Sequence, residues 1–98
     1  MRILLAEDEH SLSRVVTALL EKNNYSVDAV YDGAEALAYL ESGNYDGAVL
    51  DIMMPKMDGI EVLRRLRESG SALPVLMLTA KSEVADKVLD WTPGPTTI

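Results

Sequence analysis

Short runs of apolar residues alternate along the chain with segments in which apolar residues recur at helical spacing. The continuous run Ile3–Ala6 is typical of a strand covered on both faces, as the strands of parallel sheets are. Three further segments have strand character, namely Tyr25–Tyr31, Ala48–Leu50 and Val75–Leu78. Their alternation with helical segments predicts an α/β fold with a parallel, doubly wound sheet.

Four helices are predicted from apolar spacing and from end signals. Asp32 and Ser82 are placed to cap the second and fourth helices, and Gly43 is placed to end the second. The expected buried positions are Leu12, Val15, Val16, Leu19 and Leu20 in the first helix, Ala34, Leu37 and Leu40 in the second, Ile60, Val62, Leu63 and Leu66 in the third, and Val84, Ala85, Val88 and Leu89 in the fourth.

Composition narrows the function classes. A chain of 98 residues fits one small domain. Its formal net charge of -7 argues against non-specific affinity for nucleic acid or for an anionic membrane. The absence of cysteine excludes disulfides, thiolate catalysis and cysteine zinc sites. The first apolar run is too short for a signal peptide or a membrane span, so we expect a cytoplasmic protein.

Polar residues follow three of the predicted strands directly. Glu7 and Asp8 come after the first, Asp51 after the third and Thr79 after the fourth. Because the carboxyl ends of parallel strands share one edge, where ligands bind, we expect these side chains to lie together. Clustered carboxylates take up protons or bind a hard cation, and Mg²⁺ is the expected cation in an accessible cleft. Asp51 is best placed to accept a phosphoryl group as an acyl phosphate, with the Thr79 hydroxyl donating to a phosphoryl oxygen.

Three segments, in order and at strand ends, resemble the receiver domain of bacterial two-component response regulators. They are Leu4–Glu9, Leu50–Gly59 and Leu78–Ala80. The chain looks closest to the subfamily that carries a winged-helix DNA-binding output domain. The resemblance implies a flavodoxin-like, CheY-like fold with strand order 2-1-3-4.

The resemblance also implies roles for individual residues. Asp51 would accept phosphate from a sensor histidine kinase in a phosphorelay, and Thr79 would be the switch hydroxyl. Glu7, Asp8 and Asp51 would hold Mg²⁺, directly or through water. The backbone carbonyl of Met53 would be a further metal ligand.

The resemblance stops after Leu89. Receiver domains continue with a segment like Gly-Leu-Asp-Ala-Gly-Ala-Asp-Asp-Tyr-Leu, a Lys-Pro pair, a fifth strand and a fifth helix, none of which occurs in this sequence. Residues 90–98, which resemble neither strand nor helix, can be encoded by codons that give Leu-Asp-Ala-Gly-Ala-Asp-Asp-Tyr in a shifted frame. We expect residues 1–89 to form an incomplete receiver domain and residues 90–98 a non-family tail, produced by a single-base deletion near codon 90. The gene sequence tests this, and an evolved tail or a deliberate cut are the alternatives.

Loss of the fifth strand and helix has predicted consequences. The fourth strand would keep an open edge, and part of the sheet would keep an uncovered apolar patch, and both features favour association. We therefore expect a homodimer or a domain-swapped assembly through residues 82–98. Loss of the family's lysine is expected to impair phosphotransfer. DNA binding is expected of a longer parent protein and not of this chain.

Alternatives remain open at this stage. The chain could be a folded remnant that acts only as an interaction module. A phosphohydrolase with an aspartyl nucleophile would need an acid two residues later, where Met53 stands, so no enzyme is expected.

Glu7 taken alone fits a solvated turn residue, and His10 fits an exposed residue at a helix start. The basic cluster Arg64, Arg65 and Arg67 fits a solvated helix face and not a nucleic-acid patch.

Overall fold

The computed structural model describes residues 1–78 and the backbone of residues 91 and 92. Its elements in chain order are β1 (Arg2–Ala6), α1 (His10–Lys22), β2 (Ser26–Val30), α2 (Gly33–Ser42), β3 (Gly47–Asp51), α3 (Gly59–Glu68), β4 (Val75–Leu78) and β5 (Trp91–Thr92). One sheet has the order β2-β1-β3-β4-β5, and its first four members pair in parallel. The predicted parallel order 2-1-3-4 is therefore confirmed. The predicted fourth helix and its Ser82 cap lie outside the described residues.

The sheet separates two apolar clusters because successive residues of a strand point to opposite faces. On one face, strand residues such as Leu4 and Leu50 pack with α2 and α3. On the other face, Ile3, Leu5 and Val49 pack with α1. Leu78 is a fourth strand residue on this face, and all four are at most 5% exposed. They form one cluster with Val16 and Leu20 of α1. The prediction that the sheet keeps an uncovered apolar patch is therefore wrong at these four positions.

Several helix positions face differently from the prediction. Val15 and Leu19 are each 56% exposed, because the five apolar positions of α1 span a wider arc than its contact with the sheet. In α2, Ala36 is buried and Ala34 is exposed. Ile60, in the first turn of α3, is 44% exposed. The remaining predicted core positions of these three helices are buried or half-buried.

Side-chain caps fix the starts of α2 and α3. The Asp32 carboxylate accepts a hydrogen bond from the Glu35 backbone N–H at 2.7 Å, as predicted. Asp58 accepts one from the Glu61 N–H at 2.8 Å in the same way. Gly43 follows the last residue of α2, as predicted. Both caps lie beside the carboxyl edge of the sheet, so they hold the helices that flank the candidate site.

The strand β5 corrects the prediction for the tail. Trp91 and Thr92 pair antiparallel with Leu76 and Val75 of β4. The predicted open edge of β4 is therefore wrong for half of the strand, and the assignment of residues 90–98 to neither helix nor strand is wrong for these two. The physical reason is that an unpaired strand edge offers backbone donors and acceptors to any extended segment, whatever its side chains. The family's fifth parallel strand does not occur among the described residues.

The arginines of α3 divide into two kinds. Arg64 and Arg65 form ion pairs with Glu61, and Arg64 also pairs with Glu68. These two lie on a solvated helix face, as predicted. Arg67 differs, because it is half-buried and its guanidinium donates to the backbone carbonyls of Ser71 and Leu73 in the connection to β4. Within the described residues, none of the helices combines the length and apolar character needed to cross a bilayer.

Candidate metal and phosphoacceptor site

Three carboxylates meet at the carboxyl edge of the sheet. Glu7 and Asp8 follow β1, and Asp51 ends the neighbouring strand β3, where Leu50 is the register partner of Ala6. One carboxylate oxygen from each residue lies within 4.8 Å of the other two. The structure thus brings together the acids that the sequence placed at strand ends. Thr79, the fourth predicted member, lies outside the described residues.

The three acids differ in their surroundings. Glu7 is 1% exposed and Asp51 is 5% exposed, whereas Asp8 is half-buried. Glu7 Oε2 accepts a hydrogen bond from the Glu9 N–H at 2.9 Å. Asp51 Oδ1 accepts a longer one from the Met53 N–H at 3.4 Å. Asp8 Oδ1 is buried and meets no hydrogen-bond donor within residues 1–78. The burial of Glu7 excludes the solvated turn residue that its position alone suggested.

Glu7 also shows the electrostatic cost of the cluster. Burial raises the pKa of its carboxyl group to about 7, and the negative charges of Asp51 and Asp8 act in the same direction. The hydrogen bond from the Glu9 N–H partly opposes this rise. A cation at this point would oppose the rise in the pKa of Glu7, because its positive charge favours the ionised form of each acid.

The donor set fits Mg²⁺. Carboxylate oxygens are the ligands that this ion prefers, and one or two of them usually suffice because the ion keeps several waters. The buried Asp8 Oδ1 offers lone pairs that the described protein groups do not use. Met53 is the second residue of the connection between β3 and α3, and its N–H donates to Asp51. Its side chain is 66% exposed, and the role of its backbone carbonyl as a ligand stays a prediction.

An open cleft of about 520 Å³ adjoins the acids. It is lined by Asp8, Ile52, Met53, Met54, Pro55 and Asp58. Met54 and Met57 pack on the core cluster beneath α2 and α3, so they anchor this side of the cleft to the core. Of the three acids Asp8 lines the cleft, so an incoming molecule can reach the acidic cluster from the side of Asp8.

Gly59 holds the end of β3 against the start of α3. Its N–H donates to the Ile52 carbonyl at 2.8 Å. A Cβ added at Gly59 would lie 2.3 Å from the backbone oxygen of Asp51, closer than any side chain allows. These contacts fix the backbone of the candidate phosphoacceptor and of the residue after it.

Two supporting features were not predicted. Gly33 packs against the loop that lines the cleft, and its only sequence signal is the Asp-Gly pair at a helix start. His10 is exposed at the first position of α1, as predicted, but its ring also stacks on Tyr31, with ring centroids 4.0 Å apart. Neither contact could be read from spacing, because each joins segments that only the folded sheet brings together.

Comparison with known proteins places this geometry in a family. The transcriptional regulatory protein DltR of Streptococcus agalactiae is 49% identical over 88 residues, which cover 90% of this chain and 39% of DltR. The chain thus spans about two fifths of the length of this curated relative.

Two solved structures share the fold of this chain and about a third of its aligned residues. TrrA of Thermotoga maritima, a response regulator in complex with Mg²⁺ and BeF, is 34% identical with a TM-score of 0.78, over 87% of this chain and 75% of that one. The receiver domain of the sensor histidine kinase PA1611 of Pseudomonas aeruginosa, with a magnesium ion in its active-site cleft, is 35% identical with a TM-score of 0.77, over 83% and 68%. The response regulator receiver domain family matches residues 3–91 of this chain. The predicted family is therefore confirmed, and the chain belongs to the response regulator receiver domains.

Proposed function

We propose that this chain accepts a phosphoryl group on Asp51 from a sensor histidine kinase, with Mg²⁺ held by Glu7, Asp8, Asp51 and the Met53 backbone carbonyl. The observation that carries the proposal is the convergence of three carboxylates within 4.8 Å beside an open cleft. The magnesium ions in the structures of TrrA and of the PA1611 receiver domain support the choice of metal.

The residues of the chain would act in the transfer as follows. An ionised oxygen of Asp51 attacks the phosphorus of a phosphohistidine, so that a new O–P bond forms while the N–P bond breaks, and the departing imidazole nitrogen takes a proton from solvent. The Met53 N–H, which donates to Oδ1, helps to orient the carboxylate. Thr79 would donate its hydroxyl to a phosphoryl oxygen. Bound Mg²⁺ would offset negative charge on the transferring group.

The phosphorylated form is proposed to be impaired relative to that of other family members. The family's Lys-Pro pair does not occur within residues 1–98, and a phosphoryl group that lacks this lysine would have one cationic contact fewer. We propose no DNA binding by this chain, whose formal net charge is -7.

Phosphate incorporation tests the proposal directly. The chain, incubated with a small acyl-phosphate donor and Mg²⁺, is expected to gain the mass of one phosphoryl group. With a chelator in place of Mg²⁺, the gain should disappear, because the charge of the transferring group is then not offset. Intact-protein mass spectrometry measures both. If the chain gains no mass under either condition, the proposal is wrong and the chain acts only as an interaction module.

A second proposal concerns self-association through the tail. We propose that a second copy of the chain is a partner, in a homodimer or domain-swapped assembly that involves residues 82–98. The pairing of β5 with β4 supports it, because the same antiparallel pairing is available between two identical chains. Twelve residues separate the two strands in sequence and could extend to at most about 40 Å, enough to reach a neighbouring copy.

Disulfide trapping tests the exchange, because the chain has no cysteine of its own. Leu76→Cys and Trp91→Cys chains are mixed, unfolded and refolded together, and oxidised. A cross-linked heterodimer is expected, since residues 76 and 91 are register partners. The matched control replaces Trp91→Cys with Thr92→Cys, which is out of register by one position and points to the other face of the ladder. A chain that stays monomeric by light scattering at all concentrations contradicts the proposal.

A further inference from the structure

The loop between β3 and α3 rests on the first residue of α2. The Gly33 N–H points to the Pro55 carbonyl at 3.4 Å. A Cβ added at Gly33 would lie 1.8 Å from the backbone oxygen of Met57 and 2.6 Å from its backbone carbon. Because these are backbone atoms, no side-chain rotation relieves the overlap, and any residue larger than glycine must displace the loop.

A second contact joins the same two segments. Lys56 Nζ lies 3.6 Å from Asp32 Oδ2, while Asp32 Oδ1 caps α2. Lys56 has a φ of 69°, which places this side chain on a sharply turned part of the loop. The Lys56 side chain is 69% exposed, so the ion pair is weak by itself. The Gly33 contact therefore carries most of the docking.

The loop is held at its other end by Gly59, which packs on the backbone of Asp51. Most of the loop residues that line the cleft, including Met53 and Pro55, lie in sequence between the backbone that Gly59 contacts and the backbone that Gly33 contacts. Only Asp58 separates Met57 from Gly59, and its carboxylate is held as the cap of α3. A displacement at Pro55–Met57 is therefore passed on toward Met53, the residue whose N–H donates to Asp51.

We propose that Gly33, aided by the Asp32–Lys56 ion pair, is a positioning residue for the metal site. Its close contact with the backbone of the β3–α3 loop fixes the position of that loop relative to α2. The position of the loop in turn determines where the Met53 backbone lies beside Asp51. This inference rests on the proposed function for its effect on Mg²⁺. It goes beyond that function by assigning a role to the start of α2, which contributes no atom to the acidic cluster.

The chain offers a matched control for Gly33. Gly43 lies at the opposite end of α2, and a Cβ added there would lie 2.5 Å from the Tyr45 ring and 2.9 Å from the Tyr39 carbonyl oxygen. The full-length variants Gly33→Ala and Gly43→Ala therefore both crowd the structure, but only the first crowds the loop of the site. Mg²⁺ affinity is measured by titration calorimetry, and metal-free stability by thermal unfolding.

Gly33→Ala is expected to weaken Mg²⁺ binding roughly tenfold or more, in the range of residues that support metal ligands without touching the ion. Gly43→Ala should bind Mg²⁺ as the unchanged chain does, even where its unfolding temperature falls as far. A folded Gly33→Ala variant with unchanged Mg²⁺ affinity overturns the inference. Should Gly33→Ala fail to fold, Lys56→Ala decides, with an expected weakening of about threefold from loss of the ion pair; unchanged affinity there overturns it too.

Failure of the proposed function is distinguishable from failure of this inference. If the unchanged chain binds no Mg²⁺, the metal site itself is wrong. The positioning role is then read from amide chemical shifts in the metal-free protein. Shifts at residues 51–57 should change in Gly33→Ala and stay constant in Gly43→Ala. Constant shifts in both variants overturn the role of Gly33 independently of any metal.

Discussion

The Asp51→Asn variant is expected to incorporate no phosphate under conditions in which the unchanged chain is phosphorylated. An amide oxygen is a far weaker nucleophile than a carboxylate oxygen, and the amide also removes one negative charge from the acidic cluster. Asparagine has nearly the same shape as aspartate, so the fold and the hydrogen bond from the Met53 N–H can persist. Mass spectrometry after incubation with an acyl-phosphate donor and Mg²⁺ gives the result.

Asp46→Asn is the matched control for this experiment. Asp46 lies before β3, at the opposite end of the strand from Asp51, and its carboxylate accepts a hydrogen bond from the Arg2 N–H at 2.8 Å. The substitution makes the same chemical change and leaves the acidic cluster intact. Phosphorylation at the level of the unchanged chain is expected. If the Asp51→Asn chain incorporates as much phosphate as the unchanged chain, another residue is the phosphoacceptor.

The metal-free protein is expected to lose stability as the pH rises toward neutrality. The pKa of Glu7 is about 7 in the folded chain against an ordinary value of 4.5, so folding favours the protonated form. The stabilisation is fully present below about pH 4.5 and is lost as the pH rises through 7. For this group alone the loss is roughly 3 kcal/mol in the free energy of unfolding. Urea unfolding in the presence of a chelator, at pH values from 5 to about 8, measures it.

The Glu7→Gln variant and added Mg²⁺ separate the cause from other titrations. Glutamine stays neutral, so the variant should lack this part of the pH dependence and should be more stable than the unchanged chain at about pH 8 without metal. Added Mg²⁺ should reverse the trend, because it binds the ionised acids. An identical pH dependence in the unchanged chain and in Glu7→Gln would assign the effect to another group.

The grouping of the acids was predictable because it depends on topology. Parallel strands end at one edge, so Glu7, Asp8 and Asp51 must approach one another once the strand order is known. The degree of burial was not predictable in the same way. Glu7 is inaccessible at the end of β1, where its N–H donates to the Val30 carbonyl and its carboxylate lies beside that of Asp51, and both partners are distant in sequence.

The helix faces and the tail show what the spacing of apolar residues cannot predict. Val15 and Leu19 have the spacing of core residues, but a helix buries only the arc that its neighbours cover, and spacing does not give that arc. The strand β5 forms through backbone hydrogen bonds, which any extended residues can make, so no side-chain pattern marks it. Gly33 shows a third limit, since a close backbone approach leaves no trace in the sequence beyond the glycine itself.

The double anchoring of the β3–α3 loop has a consequence for how this sequence can diverge. Surface loops usually accept insertions and deletions, because their extra residues extend into solvent. Here Gly33 and Gly59 fix the backbone at two points that flank the cleft. An added or deleted residue between Ile52 and Asp58 would have to be accommodated within that short span. Homologous chains that conserve this chemistry are therefore expected to keep the length of the loop constant while its exposed side chains vary.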